Sequence, residues 1–115
     1  MFELLKTQEI SHEMHIELIK YCKKRKIMFL STPYGEKSAD LLEELGIPAF
    51  KIASTDTNNI SLIKYIARFG KPVILSSGMA SLLEISKAVD ILCNSGLTKD
   101  LITILHCNTE YPTPI

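Results

Sequence analysis

No apolar run in this sequence approaches the ~20 residues that cross a bilayer. No basic segment followed by an apolar one opens the chain either, so neither a membrane span nor a secretory leader is predicted. An excess of charge of one sign is also missing, since 13 Lys and Arg balance 13 Asp and Glu. A field that sums to zero argues against nucleic acid or an anionic membrane as the main partner, while a small anion can still be held by a local cluster. Cysteine is scarce. Cys22, Cys93 and Cys107 are odd in number, far apart and in apolar surroundings, which reads as reduced core thiols of a cytoplasmic protein rather than a disulfide or metal set. No G-x-G-x-x-G follows an apolar run, which weakens a dinucleotide-binding reading, and no linker or low-complexity tract divides the chain.

What the sequence does have is 46% hydrophobic residues over 115 positions, the content of one modest globular core. Four short β-prone runs stand out: "IMFLS" (27–31), "AFKIAS" (49–54), "VILSS" (73–77) and "ITILHC" (102–107). They are mostly continuous rather than alternating, as in parallel strands covered on both faces. Helical stretches separate them. Ser11 caps a helix running to about 26, whose basic last turn suits the helix dipole. "KSADLLEELG" (37–46) puts Ala39, Leu42 and Leu45 on one stripe and stops at Gly46. "NNISLIKYIARFG" (58–70) opens on an Asn cap, turns Leu62, Ile66 and Phe69 inward and stops at Gly70. Ser81 and Glu84 form a capping-box pair ahead of Ile85, Ala88, Val89 and Leu92.

This α-β-α-β-α-β-α-β order builds either an open doubly wound sheet or a closed (βα)8 barrel, and periodicity alone does not separate them. The ends break the repeat. A helix comes first with no strand before it, and "NTEYPTPI" (108–115) follows a strand with no helix after it. Four barrel strands would leave two open edges and an uncovered interior. Residues 1–115 are therefore expected to be a central fragment of a chain roughly two to three times as long, on barrel sizes of ~250 residues. Met1 would then be internal.

In parallel βα architectures ligand chemistry gathers at the C-terminal ends of the strands. The first run ends in Ser31 and Thr32 before Pro33. The second carries Lys51, Ser54, Thr55 and Asp56; the third Ser76, Ser77 and Gly78; the fourth His106, Asn108, Thr109 and Tyr111. Lys51 stands among Phe50, Ile52 and Ala53. Its stem could pack while its head reaches water, but an unpaired buried charge costs several kcal/mol, which favours an ammonium holding a phosphate or carboxylate. Ser54 is three residues on and would face the opposite way unless the strand ends near Ala53. "SSGMAS" (76–81) suits phosphate oxygens or is an ordinary capped turn. His106 and Cys107 point to opposite faces of a strand and cannot share a metal ion without distortion, so His106 is expected to be a packed, hydrogen-bonded histidine. His12 and His15 share a helix face without a third ligand and are expected at the surface. Asp56 is placed either for proton transfer or as an Asx-turn to the next helix.

Together, "LSTPYGEKSADLLEELGIPAFKIAS" (30–54), "KPVILSSGMAS" (71–81) and "LHCNTEYPTP" (105–114) resemble the sialic acid synthase family. These are phosphoenolpyruvate-dependent N-acetylneuraminate synthases, with legionaminic, pseudaminic and spore-coat polysaccharide relatives. The resemblance implies an α/β fold, a partial (βα)8 TIM barrel of about strands three to six truncated at both ends, in a full-length protein that is a homodimer. It implies that Thr32, Lys51, Ser54 and Ser76 bind phosphoenolpyruvate. Asn108, Thr109 and Tyr111 would lie on the sugar side, and Asp56 would be catalytic. Family members often have glutamate where Asp56 stands and asparagine where Thr109 stands, which bears on the acid/base group and the choice of sugar.

The implied reaction joins phosphoenolpyruvate to an open-chain N-acetylhexosamine, giving a nonulosonic acid and phosphate. A divalent cation, manganese or magnesium, would polarise the aldehyde, with histidine ligands beyond position 115 and no metal ligand within the chain. Two other readings stay open. One is a non-catalytic truncated barrel that associates through its open edges. The other is a phosphate-binding barrel aldolase using Lys51 as a Schiff base, which is weaker because nothing nearby is evidently arranged to lower the lysine's pKa by desolvation.

Overall fold

The computed structural model describes residues 10–114. The chain runs α1 (His12–Arg25), α2 (Glu36–Glu44), β1 (Phe50–Ile52), α3 (Ile60–Ala67), β2 (Val73–Ser76), α4 (Leu82–Asn94) and β3 (Ile102–Leu105), with short 3-10 turns at Ser54–Asp56 and Lys99–Leu101. The three strands form a parallel sheet in the order β1-β2-β3. A helix links each strand to the next, which is the alternation that the hydrophobic runs predict.

The helix ends follow their capping residues. Ser11 accepts from the Met14 amide at 3.2 Å, and Asn59 accepts from the Leu62 amide at 3.3 Å. Ser81 and Glu84 close a reciprocal box: Glu84 N–H donates to Ser81 Oγ and Ser81 N–H to Glu84 Oε2. Helix α2 stops in a Schellman turn, with Gly46 N–H on Glu43 O and Ile47 N–H on Leu42 O. Gly46 holds φ +72°, a conformation that most side chains avoid.

Between sheet and helices lies one core. Phe50, Ile52, Val73 and Leu75 pack against Leu42, Ile63, Ile66 and Leu92, all essentially without solvent exposure. Each such side chain contributes about 1.5–3 kcal/mol on removal from water. Phe69 stacks on Phe50 with ring centroids 5.1 Å apart.

Four expectations are corrected. The run 27–31 pairs with no strand among the described residues. The Ile27 amide turns back to Cys22 O to close α1, Ile27 and Met28 are exposed, and Phe29 packs against the core. β-Propensity alone does not make a ladder, which needs backbone pairing that this run does not form among the described residues. His15 is buried rather than at the surface: Nδ1 lies 2.8 Å from Ser11 O and the ring meets Phe29 edge-on. His106, by contrast, is exposed instead of packed. The three thiols are free and half-buried, less enclosed than core positions.

Candidate active site

Register fixes which side chains share a face. Phe50 pairs with Val73 and Ile52 with Leu75, and all four point to the helices. Lys51 pairs with Ile74, and Ile74 with Thr103, so these occupy the other face together with Ser76 and Leu105. Lys51 and Ser76 are thus diagonal neighbours on the face away from the helices. The Lys51 ammonium donates to Ser76 Oγ, and to Ile52 O at 3.1 Å. Burial holds its pKa below the ordinary amine value, an effect partly opposed by the nearby Cys107. Among the described residues the ion pair is Lys71 with Glu43, and no carboxylate reaches Lys51.

Ser54 reaches the same face because β1 ends at Ile52. Ala53 is still extended, and the chain then enters the turn Ser54–Asp56. Ser54 Oγ accepts from Gly78 N–H at 3.0 Å and lies 3.8 Å from Cys107 Sγ. Both serine hydroxyls accept a hydrogen bond, and across the Ser54–Cys107 contact either group could donate. An ammonium has three donors, and Lys51 uses two of them here. The remaining ammonium donor, beside serine hydroxyls, suits an oxyanion.

Three residues outside the set predicted from the sequence complete the site. Thr57 is buried, with Oγ1 3.0 Å from both Ser54 O and Ser76 O. Cys107 shares the inner face with Leu105. Burial pushes its thiol up, but the polar groups of Ser54, Ser76, Ser77 and Gly78 around it bring it below the ordinary thiol value. Ser77 is tied to β3 through its hydroxyl, 2.8 Å from Leu105 O. The only signal in the sequence was position at a strand end, because each residue acts through a partner distant in sequence.

Gly78 is where the strand ends converge. A Cβ there would come 2.9 Å from Ser54 Oγ and 3.2 Å from the backbone C and O of Asn108. The following turn carries Met79 at φ 63°, a left-handed residue without glycine's freedom. The N-terminus of α4 is already capped by Ser81 and the Glu84 carboxylate, so the anion donors are the side chains and not this helix end.

Asp56 Oδ1 accepts from Asn59 Nδ2 at 3.1 Å, while Oδ2 is buried and has no partner among the described residues. Thr32 is half-buried ahead of buried Pro33, and no hydrogen bond joins it to Lys51. Asn108 Oδ1 accepts from Glu110 N–H and Thr113 Oγ1, both at 3.0 Å. Thr109 and Tyr111 are exposed. A cavity of about 120 Å³ lined by Ser54, Thr57, Met79 and Glu84 borders the cluster. A larger apolar one, about 190 Å³, lies between α1 and the Gly46–Pro48 loop at the opposite end of β1.

Fold and site together define an α/β protein with a parallel sheet and an anion-suited cluster at its strand ends. Residues 1–115 match the NeuB family, and the chain belongs to that family. It is 46% identical over 112 residues to the N,N'-diacetyllegionaminic acid synthase of Campylobacter jejuni, covering 97% of this chain and 34% of that one. It is 37% identical to the spore coat polysaccharide biosynthesis protein SpsE of Bacillus subtilis, covering 99% of this chain and 30% of that one. The crystal structure of N-acetylneuraminic acid (sialic acid) synthetase from Leptospira borgpetersenii, in complex with citrate, superposes with a TM-score of 0.88 at 35% identity, over 97% of this chain and 38% of that one. The chain thus spans about a third of the length of the curated relatives it matches. Among the described residues no helix is long and apolar enough to cross a membrane.

Proposed function

We propose that this chain is the central part, about strands three to six, of the (βα)8 barrel of a phosphoenolpyruvate-dependent synthase. The complete protein, a homodimer in this reading, condenses phosphoenolpyruvate with an N-acetylated hexosamine to give a sialic-acid-like nonulosonic acid and phosphate. The observation that carries the reading is Lys51. Among the described residues its half-buried ammonium has no carboxylate partner, and it stands beside two serine hydroxyls. Such an arrangement is incomplete without an anion.

In this reading Lys51, Ser54 and Ser76 hold phosphoenolpyruvate, and Thr32 joins them from the segment before α2. The enol carbon attacks the sugar aldehyde, water adds at the resulting cationic centre, and phosphate leaves. The cluster orients the enol and neutralises charge; none of its members bonds covalently to the substrate. Asp56, through its unpartnered Oδ2, serves proton transfer or a sugar hydroxyl. Asn108, Thr109 and Tyr111 lie on the sugar side. The divalent cation of the family reading would polarise the aldehyde. Among the described residues no group of three His, Cys, Asp or Glu could hold it, so no step here passes through it.

Burial holds the Lys51 pKa below the ordinary amine value, a shift not expected from the sequence. A Schiff base on Lys51 is therefore kept as the second reading. One experiment separates the two. The full-length protein, incubated with phosphoenolpyruvate and N-acetylmannosamine, is treated with borohydride and Lys51 is mapped by mass. Inorganic phosphate release with an unmodified Lys51 is the expected result. A reduced adduct on Lys51 overturns the anchor role, and no phosphate release with any N-acetylhexosamine overturns the synthase reading.

A further inference from the structure

Ser54 and Ser76 come from neighbouring strands, yet their hydroxyls must keep one spacing if both are to serve a single anion. The two hydroxyls have different partners, Ser76 the Lys51 ammonium and Ser54 the Gly78 amide, so neither bond spans from one serine to the other. The backbone carbonyls of the same two residues are held by one atom. Thr57 Oγ1 lies 3.0 Å from Ser54 O and 3.0 Å from Ser76 O. One hydroxyl has one proton, so the two carbonyls share it, and the oxygen sits between the ends of β1 and β2.

We infer that Thr57 is a positioning residue of the anion site, fixing the distance between Ser54 and Ser76 and through them the place of the Lys51 ammonium. Thr57 touches no substrate in this arrangement. Its side chain is 3% exposed, so the hydroxyl works where water does not compete for the carbonyls. Removing it would take a donor from the buried Ser76 O, leave Ser54 O with the Thr57 amide at 3.4 Å alone, and let the β1 turn drift from β2. The loss is expected in anion binding, because the serine hydroxyls and the ammonium act on the anion in ground and transition state alike.

The inference rests on the synthase reading, and the test keeps the two apart. Steady-state kinetics are measured on the full-length protein for the parent, Lys51→Met, Thr57→Val and Thr57→Ser. Thr57→Val keeps shape and loses the hydroxyl; it should raise the KM for phosphoenolpyruvate about tenfold with kcat within about twofold of the parent. Thr57→Ser restores the hydroxyl and should return the KM to near the parental value. A Thr57→Val enzyme with parental KM overturns the inference, whatever happens to kcat or to its melting temperature. Should Thr57→Val not fold, Thr57→Ala replaces it in the comparison. If only the serine variant folds, the hydroxyl is a folding requirement and the inference falls. A parental KM in Lys51→Met overturns the anion-site reading itself, and the Thr57 inference with it.

Discussion

Lys51 and Ser76 lie on the same face of the parallel sheet, two positions out of direct register, and the lysine ammonium donates to the serine hydroxyl. That diagonal places a cation beside a hydroxyl, with no carboxylate in reach among the described residues. An anion is what such a pair lacks. Lys51→Met keeps the stem volume and should fold like the parent. In the full-length protein it should weaken phosphoenolpyruvate binding by about 2 kcal/mol or more, the scale of a lost charged partner. Isothermal titration with phosphoenolpyruvate checks this, and unchanged affinity would remove Lys51 from the site.

The depressed Lys51 pKa makes a prediction in pH. Burial disfavours the charged form, so the folded chain gives up this proton at a lower pH than the unfolded chain does. Between those two values unfolding takes up a proton, and stability rises with pH through that window. Anion binding moves the other way, since it needs the charged form and weakens as pH climbs through the folded pKa. Urea midpoints and phosphoenolpyruvate affinity, each measured as parent minus Lys51→Met over the alkaline range, should therefore diverge. Parallel trends would contradict the assignment of cause.

Gly78 gives a prediction about packing. The nearest atoms to an added methyl are Ser54 Oγ at 2.9 Å and the Asn108 backbone at 3.2 Å. The serine side chain could rotate, but then loses the Gly78 amide, and the Asn108 backbone cannot shift without moving the chain beyond β3. Gly78→Ala should cost about 1–3 kcal/mol of stability, as overpacking does, and should raise the KM for phosphoenolpyruvate. Denaturant unfolding with kinetics on the same preparation tests both, and parental values would show the strand ends to be loosely packed.

Much of this was legible in the sequence because it depends on local rules. Ser11, Asn59 and the Ser81–Glu84 box start helices where their side chains meet nearby amides, and the apolar runs at 50–52, 73–76 and 102–105 carry the sheet. Lys51 was visible as a charge out of place. The segment 27–31 misled because strand propensity says nothing about whether a neighbour is there to bond. Thr57 and Cys107 were invisible for a related reason. Thr57 reaches Ser76 and Cys107 reaches Ser54, contacts that exist only once the register is set. His15 was misplaced at the surface because its burial depends on Phe29, on a different segment.

Asp56 is the sharpest test of the chemistry. Its carboxylate is divided: Oδ1 is engaged by Asn59 Nδ2, beside the cap of α3, while Oδ2 is buried without a partner among the described residues. A turn former needs only the first oxygen, and asparagine supplies one equally well. An unpartnered buried oxygen costs stability, and in the proposed site a group arriving with the substrate would satisfy it. Asp56→Asn should therefore lower kcat by about 100-fold or more, the usual worth of a general acid or base, while the unfolding midpoint changes little. Asp56→Glu keeps the charge one methylene further out and should retain part of the activity. Steady-state rates and urea unfolding of the two variants in the full-length protein decide the matter. If Asp56→Asn turns over like the parent, the carboxylate belongs to the α3 cap alone, and the proton must be handled by another residue.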